Sequence, residues 1–184
     1  TIARHAGLKH LTMELGGNDP LIVWDDADLE RAAGVAIEQG LGTCGQRCTA
    51  VKRLFVHRDV VEPFQQTLLA RVRQLRIGDP ADPATDLGPM ISAEAARRVE
   101  TAVEDAVQHG ARLLLGGARD GAMLPPQVLD AVPADAPLIV EETFGPVLPL
   151  MAFAGLDHCV EQVNATVYGL QAGVFTDRLD VAKA

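Results

Sequence analysis

Short apolar runs alternate with stretches in which apolar residues return every three or four positions, and the alternation continues along most of the chain. "LIVW" (21–24) predicts a buried strand. After it, Leu29, Ala32, Ala33, Ala36, Ile37 and Leu41 recur at helical spacing, with Asp25, Asp26 and Asp28 at the end where the helix dipole favours negative charge. "RLFVH" (53–57) predicts the next strand. Asp59 with Glu62 reads as a capping box, and Val61, Phe64, Leu68, Val72 and Leu75 form one stripe that stops at Gly78. A third helix is predicted from Ser92 to about His109, with Ala95, Val99, Val103 and Val107 turned inward and Gly110 closing it. "ARLLLGG" (111–117), "PLIV" (137–140), "VLPLMAF" (147–153) and "QAGVFT" (171–176) predict further strands, with a short helix over 156–164. Strands alternating with helices predict an α/β fold on a largely parallel sheet. Pro and Gly punctuate the joins, and with no repeat or low-complexity linker one domain is expected.

Composition narrows the function. A chain of 184 residues, 48% hydrophobic and 22% charged, can bury a globular core. The net charge of -9, with 16 basic against 25 acidic residues, excludes a nucleic-acid groove, which needs clustered Lys and Arg. No apolar run of about 18 residues could span a bilayer, and "TIARHAGLKH" lacks the apolar core of a secretory signal, so a cytoplasmic location is expected. Cys44, Cys48 and Cys159 are too few and too odd in number for a disulfide framework, and reduced thiols are expected.

The candidate chemistry starts at "GTCGQRCTA" (42–50), where Cys44 and Cys48 lie four positions apart and Arg47 directly precedes the second. Structural zinc wants a second Cys or His pair at short spacing; His5, His10, His57, His109 and His158 stand singly, so no metal is expected. A papain-type pairing of Cys48 with a distant His has nothing to locate that His. A third reading is a thiolate favoured by Arg47 and by backbone amides of the glycine-containing turn. Against it stands the plain one, since small buried cysteines are common. In "MELGGNDP" (13–20), Glu14 sits between Met13 and Leu15. A half-buried carboxylate there could work as a general base near neutral pH, whereas one at a strand end would simply face water.

Together with "EETFGPV" (141–147) and "NATVYGLQAGVFT" (164–176), these two stretches resemble, in order and over essentially the whole chain, the signature of the aldehyde dehydrogenase superfamily. The resemblance implies a three-layer α/β catalytic domain with a largely parallel sheet and flanking helices. It implies Cys48 as the nucleophile that forms a thiohemiacetal and then a thioester, and Glu14 as the general base. Glu142 and Phe144 match the positions that hold the nicotinamide end of NAD or NADP, while Asn164, Tyr168 and Gly169 match scaffold near the site. Cys44 fits no catalytic position and is expected to pack, with oxidative pairing to Cys48 left open.

It further implies that residues 1–184 are the catalytic domain of a longer enzyme, without the N-terminal dinucleotide-binding domain, so that the piece alone would bind cofactor poorly and turn over negligibly. The parent would be a homodimer or homotetramer. Asn18 stands where many members have Lys. "GQRCTAVKR" (45–53) is most similar to the branch that oxidises phosphorylated or phosphonylated aldehydes, the non-phosphorylating glyceraldehyde-3-phosphate and phosphonoacetaldehyde dehydrogenases, with Arg47 offering a planar fork to the substrate anion. The alternatives are that Arg47 tunes Cys48 or pairs with Glu142, that the aldehyde is an uncharged hydroxyaldehyde or a semialdehyde such as lactaldehyde or succinate semialdehyde, or that the chain is an inactive module serving in assembly.

Overall fold

A computed structural model describes residues 2–183. A short helix α1 (Ile2–His5) and an exposed lead-in reach strand β1 (Asp19–Val23), followed by helix α2 (Leu29–Leu41), strand β2 (Val51–His57), helix α3 (Val61–Val72) and helix α4 (Ala93–Gln108). Strands β3 (Arg112–Leu115) and β4 (Gln127–Asp130), a short helix α5 (Pro137–Val140), strand β5 (Val147–Phe153), helix α6 (Leu156–Asn164), strand β6 (Gly173–Phe175) and a terminal turn of helix α7 (Leu179–Ala182) complete the chain.

The six strands form one sheet in the order β3-β4-β5-β2-β1-β6, parallel at every junction except β3 with β4. Side chains alternate across it. Leu54 pairs with Leu150 on the face that receives α2, where the helix comes so close that a β-carbon at Gly40 would stand 2.5 Å from Leu148 Cδ2. Phe55 pairs with Met151 on the opposite face, where both line a hollow together with Ile139 of α5 and His158 and Gln162 of α6. Helices therefore cover both faces, the expected three-layer arrangement. Among the described residues no helix is long and apolar enough to cross a membrane.

Helix α2 starts as expected, with Asp28 accepting a hydrogen bond from Arg31 N at 3.0 Å, and Ser92 caps α4 through Ala95 N at 3.1 Å. The capping box at Asp59 does not form. Val60 is the cap residue of α3 and makes no side-chain bond, because Asp59 turns toward His57 and Arg58 instead. On α4, Ala106 takes the inward place expected of Val107, which is 39% exposed. "PLIV" is a helix and not a strand: Pro137 occupies the first helical turn, where its missing N–H costs nothing, and Leu138 and Ile139 are buried. The strand that the pattern missed is β4, "QVLD", buried at all four positions, whose Gln127 side chain is satisfied by the carbonyls of Gly117 and Pro125.

Candidate active site

Four loops precede four neighbouring strands of the five that run parallel. Residues 13–18 enter β1, 42–50 enter β2, 141–146 enter β5 and 164–172 enter β6. Parallel strands start at a common edge, so this connectivity brings four distant motifs to the same rim of the sheet. It is the N-terminal rim, opposite to the carboxyl ends where open α/β sheets ordinarily bind their ligands.

Bonds across the loops show the convergence. Gly17 N donates to Glu142 Oε1 at 2.8 Å, and Asn18 Nδ2 donates to the Ile139 carbonyl at 2.7 Å. Gln171 N donates to Asp19 Oδ1 at 3.1 Å. A β-carbon at Gly17 would lie 2.7 Å from the Cys48 carbonyl oxygen and 3.2 Å from Leu170 Cβ, so the first loop touches both the second and the fourth.

The second loop leaves α2 through an unusual turn, with Thr43, Cys44 and Gly45 at φ of 55°, 56° and 66°. Only glycine adopts such angles at no steric cost, and Thr43 and Cys44 together carry strain of a few kcal/mol by the usual cost per residue, about 1–3 kcal/mol. The turn drives Cys44 into the core, where it is 2% exposed and its Sγ contacts the Gly88 carbonyl at 2.9 Å. This is the packing role expected of it; all three cysteines are free thiols. Cys48 is the one that reaches the surface.

Burial pushes the Cys44 and Cys159 thiols up to about 11, so both stay protonated well above neutral pH. A brief iodoacetamide pulse at pH 7.5, read by peptide mass spectrometry, is expected to label Cys48 at least roughly tenfold faster than either of the others. Labelling of those two should rise only as the pH approaches 11 or when the chain unfolds. Equal labelling of all three at neutral pH would show that the burial is wrong.

Arg47 does not reach toward Glu142. Its Nη2 donates to the carbonyls of Gln39 at 2.9 Å and Glu38 at 3.3 Å, closing the C-terminal end of α2, where a cation is favoured. Its Nε is buried and has no partner among the described residues. Glu14 is exposed, with no side-chain hydrogen bond among the described residues, so the chain supplies none of the burial that the first reading of this carboxylate required. Phe144 is 41% exposed, and Glu142 is half-buried beside it. A cleft of about 490 Å³ opens next to both, lined also by Gln46, Arg98, Val99 and Pro137.

Pattern reading missed Lys52. It is 5% exposed, its Nζ donates to the Arg47 carbonyl at 2.8 Å, and the same ammonium lies 4.5 Å from the centre of the Phe144 ring. Burial pushes it below the ordinary lysine value, while Glu142, Asp19 and Cys48 hold it up. Arg53, 1% exposed on the other side of β2, ties Asn18 O and Val163 O together at 2.9 and 3.1 Å.

His57 lies at the far end of β2 from Cys48, some 20 Å of strand away at about 3.3 Å per residue, tilted against Trp24 and edge-on to Phe153. It cannot serve Cys48 as a base, and the papain-type pairing fails for this histidine. His109 caps α4 and binds Asp105 O. The group of three side chains among the described residues able to converge on a metal, Asp25, His57 and Asp59, is at that far end and includes neither cysteine of the loop.

The class so defined is an α/β domain that presents one accessible thiol and two carboxyl-bearing loops at the N-terminal rim of a parallel sheet. The chain belongs to the aldehyde dehydrogenase family, whose description it matches over residues 1–184. It is 46% identical over 182 residues to a sulfoacetaldehyde dehydrogenase of Neptuniibacter caesariensis, covering 99% of this chain and 40% of that protein. It is 40% identical to a 3-sulfolactaldehyde dehydrogenase of Priestia megaterium, over 98% of this chain and 38% of the relative. Among solved structures, a succinate-semialdehyde dehydrogenase from Burkholderia pseudomallei superposes with a TM-score of 0.93 at 38% identity, over 97% of this chain and 38% of that one. A glyceraldehyde-3-phosphate dehydrogenase from Methanocaldococcus jannaschii complexed with NADP also reaches 0.93, at 37% identity over 99% and 40%. The chain thus spans about 40% of the length of these relatives.

Proposed function

We propose that this chain is the catalytic domain of a longer NAD(P)-dependent aldehyde dehydrogenase that oxidises a small aldehyde carrying a sulfonate. The observation that supports the reading best is the single accessible thiol, Cys48, held on a loop that touches Gly17 and faces the Glu142–Phe144 loop through Lys52.

Cys48 attacks as thiolate: a C–S bond forms and the π pair of the carbonyl moves to its oxygen. The residues present fit the nicotinamide end of the cofactor. Glu142 spends Oε1 on Gly17 N, and among the described residues nothing donates to its Oε2, which leaves an acceptor for a ribose hydroxyl; Phe144 offers an exposed ring beside it. When bound, the cofactor supplies the hydride acceptor. Loss of hydride from the substrate carbon leaves a thioester on Cys48. Glu14, exposed and without a side-chain partner among the described residues, takes a proton from water as the water oxygen adds to that carbon, and the C–S bond breaks to release the acid and the thiolate.

The anion assigned to the substrate is a sulfonate and not the phosphonate expected from "GQRCTAVKR", because relatives at 46% and 40% identity are named for sulfoacetaldehyde and 3-sulfolactaldehyde. Both anions present oxygens that suit a guanidinium. Arg47 is the candidate fork: its Nε lacks a partner among the described residues, and rotation off Gln39 and Glu38 frees the remaining donors. In the protein with its flanking domains in place, kcat/KM for sulfoacetaldehyde should exceed that for propanal by at least about tenfold, one charge-assisted hydrogen bond's worth. Arg47→Leu should raise KM for the sulfonate about tenfold while changing propanal by less than about threefold. Equal losses on both substrates would remove Arg47 from the anion site, and equal kinetics in the unaltered enzyme would remove the sulfonate.

A further inference from the structure

We propose that Lys52 is a positioning residue for the chemistry of Cys48, acting through the peptide bond between Arg47 and Cys48. The inference rests on the reading of Cys48 as nucleophile. Lys52 Nζ donates at 2.8 Å to the carbonyl of Arg47, which is the carbonyl of that peptide, and Ala50 N donates to the same oxygen at 3.2 Å. The peptide is trans, so the Cys48 N–H points away from the carbonyl that these two donors hold. Among the described residues this N–H finds no acceptor.

A nucleophile's own backbone N–H is well placed for the oxygen of the carbon that its side chain attacks, because both belong to one residue and the oxyanion forms next to the new bond. As Sγ bonds the carbonyl carbon, the π pair moves to oxygen, and the free N–H can donate to it. An ammonium on the carbonyl end of the same peptide does two things. It fixes the plane, so that the N–H already points where charge will develop, and it draws electron density toward the carbonyl, which makes the N–H a stronger donor.

The burial of Lys52 suits this task. It is 5% exposed on the first turn of the pleat of β2, with Glu142 and Asp19 as counter-charges and the Phe144 ring at 4.5 Å. The same side chain therefore ties the nucleophile loop to the loop proposed for the nicotinamide. A surface lysine would lose most of this effect to solvent screening.

The test compares three reactions of Cys48 in the protein with its flanking domains in place, for the unaltered enzyme and for Lys52→Met and Lys52→Arg. Aldehyde oxidation and p-nitrophenyl acetate hydrolysis both pass through a tetrahedral oxyanion; alkylation by iodoacetamide does not. In Lys52→Met, kcat with aldehyde and the acylation rate with the ester should fall roughly 30-fold, less than the loss of about 10²–10³ when an oxyanion donor is removed outright, because the N–H stays and only its placement is lost. The limiting alkylation rate at high pH should stay within about threefold, and KM should move little. Lys52→Arg, which can still reach the carbonyl, should recover most of the loss. A parallel fall of all three reactions, or no fall in any, would overturn the proposal. An unaltered enzyme that alkylates at Cys48 but oxidises no aldehyde would instead remove the reading of Cys48 on which it rests.

Discussion

Gly45→Ala is expected to destabilise the fold by about 3 kcal/mol or more, at the upper end of single-residue effects. Two costs add. At φ of 66° the residue is in the left-handed region, where a β-carbon costs about 1 kcal/mol. The larger one is space: that β-carbon would stand 2.8 Å from Gly145 C and 2.9 Å from Gly40 O, and still closer to the Gly145 carbonyl oxygen. All of these are backbone atoms. None can swing aside as a side-chain tip would, and the Gly145 carbonyl already accepts from Val147 N at 2.8 Å at the start of β5. Gly121, at φ of 57° with nothing within 4 Å of its would-be β-carbon, separates the two costs. Gly121→Ala should lose only the first. On thermal melts this places the Gly45 variant about 5 °C or more below the Gly121 variant, at roughly 2–4 °C per kcal/mol for a chain of this size. Equal melting temperatures would mean that the second and third loops are not in contact at Gly45 and Gly145.

That contact was only half legible in the sequence. The alternation of apolar runs predicts the strands and their parallel pairing, and with it the gathering of four loop motifs on one rim. What it does not carry is where long side chains point. Arg47 reads as a neighbour of Cys48 because the two are adjacent in sequence, yet the side chain turns to α2, where unsatisfied carbonyls at a helix end compete for it. Lys52 falls just outside the predicted strand "RLFVH" and Arg53 opens it, and both prove to be almost completely buried. A pair of cations entering a strand buried at all seven positions needs fixed acceptors, and that mismatch was the available signal. "PLIV" and "QVLD" mark the other limit. Four residues are too few for a period to separate helix from strand, and β4 hides because its ends are the polar Gln127 and Asp130, whose distant partners, the Gly117 carbonyl and the Arg112 guanidinium, are brought to them by the fold.

In the protein with its flanking domains in place, Cys48→Ala should abolish steady-state turnover and Glu14→Gln should slow it sharply, and the two should act at different steps. Without the sulfur no covalent adduct forms, and aldehyde-dependent NAD(P)H should fall by roughly 10⁴-fold or more with no initial burst, as when a nucleophile is removed from other covalent enzymes. Without the carboxylate, attack by Cys48 and hydride loss remain possible, because neither requires a base acting on water. The thioester then waits. One equivalent of NAD(P)H per site should appear rapidly, followed by a steady rate lower by about 10² to 10⁴, the usual contribution of a general base. Mass spectrometry of the quenched Glu14→Gln protein should find the acyl group on the peptide containing Cys48. Glu14 is exposed and two residues ahead of Gly16, so the amide replacement disturbs no packing that could mimic this result. A Glu14→Gln enzyme with normal steady turnover would leave hydrolysis to another base. Activity retained by Cys48→Ala would end the covalent route, and with it the reason for so many buried contacts to brace one loop.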